Sequence, residues 1–164
     1  MFDQASDVNE VGLVDLAPAI KPHPELTPDG VRILEDVAAW LESGAGKRGK
    51  VDGFDMADWI QEKPECGTVC CIAGAVCLFH AGDADYSTGS TAAHAGRILL
   101  AQDMRDMLGL PRGLRQLFVP GASVPAVVNG ESPFNNNPIW AARTIRSYLA
   151  TGKVDWVANH PSKG

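Results

Sequence analysis

All four cysteines of the chain, Cys66, Cys70, Cys71 and Cys77, lie in one short apolar segment. Thiols so grouped invite three chemistries: bridging, metal binding and nucleophilic attack. Spacing argues against the first. On a helix, cysteines four apart sit about 6 Å apart along the axis with side chains pointing outward in parallel, a poor match to disulfide geometry. Metal binding fares little better. Cys66, Cys70, Cys77 and His80 would share one helical face, but about 10 Å of helix separates Cys70 from Cys77, while donors to one tetrahedral ion lie within roughly 4 Å of each other. No paired C-x-x-C spacing is present, so the expectation is no metal and no cofactor. A calcium loop counted from Asp83 would need glycine and glutamate where Thr88 and His94 stand, so a polar turn is the better reading there.

Cys66 differs from its neighbours. It stands in Pro64-Glu65-Cys66-Gly67-Thr68, at the expected start of a helix, where free N–H groups and the positive dipole end stabilise a thiolate. Papain-like hydrolases place their nucleophile in this way. In that reading Cys66 attacks, and His80 or His94 (out of His23, His80, His94 and His160) is the base. The same N–H groups favour an anion. A binding reading therefore joins Cys66, Gly67 and Thr68 to Trp59 and to the loop residues Asn135 and Asn136. Against both stands plain packing, with Cys66 as a small hydrophobe and Thr68 as a cap.

These residues need elements to hold them. Thr27-Pro28-Asp29 supplies a hydroxyl cap, a proline where no N–H is needed and an acid at the positive end, so a helix starts there. Leu34, Val37, Ala38 and Leu41 give it one buried stripe, and Gly44 and Gly46 stop it. A turn or two around Phe54–Trp59 follows. The segment from Cys66 to about His80 is apolar on every side, which predicts a central helix. Ser90 or Thr91 opens another helix running to about Leu108, with Ala95, Ile98 and Leu99 inward. Pro111 opens a shorter one packed through Leu114, Leu117 and Phe118. Asn137-Pro138 starts the last, with Ala141, Ile145, Tyr148 and Leu149 on its stripe and Gly152 at its end. Residues 119–136 read as a long irregular loop, a type of segment enriched in binding functions.

The expected fold is all-α: a single compact domain of about five helices around the central hydrophobic helix (66–80). An irregular acidic arm (1–25) precedes the helical domain (26–157), and a tail (158–164) follows it. The length of 164 residues suits one core. Charge is uneven: residues 1–44 carry nine acids and two bases, and the remainder is near neutral. With a pI near 5.1 the chain lacks the basic face of a duplex binder, and the one basic cluster, Lys47-Arg48-Gly49-Lys50, reads as a solvated loop. The longest uncharged apolar run, Val69–Phe79, is far short of the roughly 20 residues that span a bilayer. The acidic start does not resemble a leader. The expectation is a cytoplasmic protein with reduced cysteines.

Phe54-Asp55-Met56 with Trp59, then Cys66-Gly67-Thr68 and Cys71-Ile72-Ala73-Gly74, resembles an uncharacterised family of short bacterial and phage proteins. Its pattern is aromatic-x4-Trp, then C-G-T-x-x-C-[FI]-A-G. The likeness continues through Leu108-Gly109-Leu110, Leu117-Phe118 and the helix around Ala141-Ala142-Arg143. Position 75, often aromatic or histidine in that family, is Ala75 here. The resemblance implies a small accessory protein and names no reaction. Three functions stay open: a non-enzymatic binding protein for a host protein or small anionic ligand, a cysteine-dependent hydrolase or transferase, and a structural or interaction protein with no ligand, for example a homo-oligomer.

Overall fold

The computed structural model describes residues 22–57, 60–63, 67–80, 90–120, 127–134 and 136–163. Among them the fold is all-α, with five helices around one core: α1 (Pro28–Glu42), α2 (Ile72–His80), α3 (Ser90–Leu100), α4 (Arg112–Phe118) and α5 (Pro138–Thr151). Thr27 caps α1, its hydroxyl oxygen accepting from the Gly30 N–H at 3.0 Å while its O–H donates to the Leu99 carbonyl. One side chain therefore both starts α1 and pins it to α3. Gly30 permits that closeness, because a Cβ there would run into the Leu99 backbone. Leu34, Val37, Ala38 and Leu41 are fully buried, and α1 lies against α2, α3 and α5. Asn137 caps α5 by accepting from the Trp140 N–H, and Gly152 closes it in the left-handed region at φ 76°. Leu114, Leu117 and Phe118 of α4 are buried, as the stripe predicts.

The central helix is present but shorter than its sequence suggests. It begins at Ile72, not Cys66, and residues from Ile72 to Cys77 are all buried. It packs against α1, α3, α4 and the strand before it. That strand, β3 (Gly67–Cys70), is the middle of a small sheet, parallel to β1 (Gly53–Phe54) and antiparallel to β2 (Ile60–Lys63). Thr68 and Val69 are β-branched, and Val69 and Cys70 find partners on both sides, so ladder hydrogen bonds outcompete helix propagation. Phe54, expected to open the turn or two around Phe54–Trp59, instead ends β1.

The third helix also stops early. After Leu100 the chain turns through Ala101 at φ 53° and folds back over α3. Buried Met104 and Leu110 come down on Gly96, where a Cβ would meet their side-chain ends. The Arg97 guanidinium donates to the Met104 carbonyl and holds the reversal. Burial of these side chains outweighs continued helix, and a single 3₁₀ turn at Met107–Gly109 remains. Trp140 and Trp156 meet edge to face at 5.8 Å, the first donating its indole N–H to the second's carbonyl and the second to the Gln116 carbonyl. Within residues 158–163, read from sequence as a tail, His160 is buried against Trp140. Among the described residues no helix is long and apolar enough to cross a membrane.

Candidate functional site

The helix start on which two sequence readings depend is enclosed. The thiol that opens α2 is Cys71, buried, with its sulfur accepting from the Gly74 N–H at 3.5 Å. Gly67 and Thr68 lie on β3 opposite Lys63 and Glu62, their backbone committed to the sheet. No helix N-terminus is therefore offered beside Gly67, which removes the dipole argument for a thiolate or an anion there. Trp59, Cys66 and Asn135 lie outside the described residues, and Asn136 is exposed. Cys70, Cys71 and Cys77 are reduced and buried. Burial pushes the Cys70 thiol up, and pushes Cys77 up to about 12, so neither offers a thiolate near neutral pH. Cys77 instead donates weakly to the Thr91 carbonyl. No cluster able to hold a metal occurs among the described residues.

The two expected bases stand in separate networks. His94, on α3, accepts at Nδ1 from Arg97 at 3.2 Å, and its Nε2 is buried without a partner. Burial first, then the Arg97 charge, holds its pKa below the ordinary value, so it is a neutral ring. His80, at the last turn of α2, is placed differently. Its Nε2 lies 3.0 Å from Asp36 Oδ2 of α1. Asp36 in turn accepts from both terminal nitrogens of Arg48, at 3.1 and 2.7 Å. The Arg48 guanidinium lies 4.0 Å over the Phe79 ring, next to His80 in sequence. Hydrogen bonding from Arg48 holds the Asp36 carboxyl below its usual value despite partial burial; the Arg48 charge and His80 add to the lowering.

The result is a histidine fixed by a carboxylate that is itself fixed by a guanidinium. Its side chain is 25% exposed and faces a cleft of about 370 Å³ lined by Asp29, Arg32, Ile33, His80 and Ile98. Helices α1 and α3 supply the walls, apolar through Ile33 and Ile98, and Arg32 pairs with Asp29 one turn away. Arg32 also borders a second cleft of about 440 Å³ beside Pro22, His23 and Leu26. We place the site in the first, where His80 is held by a carboxylate and faces the space; His23, beside the second, has both ring nitrogens bonded to backbone groups.

Of the expected site residues, the structure brings His80 to a cleft and leaves His94 in another network. Sequence reasoning missed Arg32, Asp36 and Arg48. Arg32 and Asp36 are four apart on one face of α1, a spacing visible in the sequence. Arg48 belongs to the basic cluster read as a solvated loop, and no local signal links it to Asp36. The chain matches no family model, no curated protein and no solved structure.

Proposed function

We propose that the protein is a binding module, and that the cleft between α1, α2 and α3 takes a small anion with an apolar body. The observation that carries this reading is the Arg48–Asp36–His80 chain, which presents a fixed imidazole to a cleft that Arg32 also lines. Ile33 and Ile98 supply apolar wall for the ligand's body, and the His80 ring, oriented by Asp36, supplies a directed polar group. The Arg32–Asp29 pair is exposed, 67% and 75%, so an anion competes for that guanidinium against a contact worth about 0–1 kcal/mol. A cytoplasmic setting suits the reduced cysteines. The resemblance to short bacterial and phage proteins suits an accessory role there.

Titration calorimetry with inorganic phosphate and with octanoate tests the reading. Octanoate binding is expected, weakened about tenfold by Arg32→Gln and by His80→Gln. Phosphate alone binds more weakly because it leaves the isoleucine walls unused. Heat that is absent, or equal in all three proteins, overturns the proposal.

A further inference from the structure

A second constellation, remote in sequence from the cleft, has the parts of an activated serine. Asn129 and Gly130 are both left-handed, at φ 49° and 86°, and the flanking Val128 and Glu131 exchange backbone hydrogen bonds at 2.7 and 3.0 Å. This is the two-residue turn that Asn-Gly favours. It delivers two side chains to one place. The Glu131 carboxylate lies 2.7 Å from His160 Nε2, and the Asn129 side-chain N–H donates to Ser162 Oγ at 2.9 Å. Ser162 Oγ lies 2.8 Å from His160 Nδ1, and the Ser162 backbone N–H donates to the same Nδ1 at 3.1 Å.

The tautomer follows. Nδ1 accepts a backbone N–H, so the ring proton is on Nε2 and points at Glu131. The Nδ1 lone pair therefore faces the serine hydroxyl as well as the Ser162 N–H, and the two share it. The ring is buried and held edge-on to Trp140 at 4.6 Å, while Ser162 itself is exposed. Nucleophile bonded to base, and base bonded to an orienting carboxylate, is the arrangement that acyl-transfer serines use.

We propose that Ser162 is a nucleophile toward esters with an apolar acyl group, with His160 as its base and Glu131 as a positioning residue. Ser162 Oγ attacks the ester carbonyl carbon and its proton passes to His160 Nδ1. The bond to the alkoxide breaks, and the alkoxide leaves with that proton. Water then attacks the acyl-serine, gives its proton along the same path and releases the carboxylic acid, restoring Ser162. Once Nδ1 is protonated, the Ser162 N–H loses its acceptor and is free, with Asn129, to donate to the carbonyl oxygen as it gains charge. Val127 and Val157, exposed and close in sequence to Asn129 and His160, are the apolar side chains the acyl chain would use. This activity goes beyond ligand binding in the cleft and does not depend on it.

The test is labelling of the full chain with a fluorophosphonate probe, with the modified peptide mapped by mass spectrometry, and release of nitrophenolate from p-nitrophenyl butyrate. Ser162 is expected to react about 100-fold faster than Ser43 or Ser147. Glu131→Gln keeps an acceptor oxygen but loses the charge, so labelling should slow about tenfold or more at unchanged melting temperature, with Glu131→Asp recovering part of the rate. Ser162→Ala should remove the adduct and nitrophenolate release together. Equal labelling of Ser43, Ser147 and Ser162, or a Glu131→Gln rate equal to the parent, overturns the proposal.

Discussion

Arg48 grips Asp36 with two hydrogen bonds, the shorter 2.7 Å, and this single contact ties the loop after α1 back onto α1. It keeps the Asp36 carboxyl below its ordinary value of 3.8. A carboxyl depressed in the folded state adds stability above its unfolded value, and that stability disappears as pH falls through the folded one. Asp36→Asn should therefore lower the urea midpoint at pH 7 by the equivalent of up to about 1 kcal/mol, since both partners are 38% exposed. The parent and variant midpoints should converge as pH drops below 3.8. Curves that stay equally far apart at pH 7 and pH 3 would show that the pair contributes nothing through charge.

The core thiols give a chemical prediction. Cys70, Cys71 and Cys77 are enclosed, and Cys77 is raised to about 12. Iodoacetamide at pH 8 should leave all three unmodified in the native protein and modify them once guanidinium unfolds it. Peptide mapping reads the result. Native modification at the rate of a free thiol would contradict the burial.

Two glycines should respond unequally to alanine. At Gly30 a Cβ meets the Leu99 backbone, which cannot move without parting α1 from α3; at Gly96 it meets the ends of Leu110 and Met104. Gly30→Ala is expected to cost about 1–3 kcal/mol in thermal or urea unfolding, with the helix-propensity gain of about 1 kcal/mol already offset. Gly96→Ala should change stability by less, within about 1 kcal/mol, because flexible side chains can yield. The reverse order would contradict the close α1–α3 contact.

Tyr148 O–H donates to Glu25 at 2.7 Å, and the Gly113 N–H donates to the other oxygen of the same carboxylate at 3.2 Å. Burial first, then the bond to Glu25, raises the Tyr148 pKa, so the phenol is a donor near neutral pH. Tyr148→Phe should cost about 1–3 kcal/mol by leaving that half-buried carboxylate short of a donor. Calorimetric unfolding measures it, and an unchanged melting temperature would show that Glu25 finds water instead.

The helical frame was legible because its signals are local. Thr27, Asn137 and Gly152 act at the positions where capping chemistry places them, and the stripes on α1, α4 and α5 bury as their period demands, except that Leu149 is half-buried. What was not legible depends on partners distant in sequence. Gly67–Cys70 looks helical until β1 and β2 claim its backbone, and α3 runs past Leu100 on paper because nothing local announces that Met104 and Leu110 will fold back onto Gly96. The His80 site was half visible: the histidine stood out, but its orienting carboxylate lies 44 positions away. The Asn129-Gly130 turn was a local signal that could have been read, since that dipeptide is a strong short-range hairpin marker.

Pairing of α1 with α5 joins Glu42 to Arg146, 104 positions apart, through two hydrogen bonds. A nascent chain leaving the ribosome exposes the apolar stripe of α1 long before the segment that covers it has been synthesised. Until α5 emerges, the stripe of α1 lacks one of its neighbouring helices, which lengthens the interval in which a partly made chain exposes apolar surface.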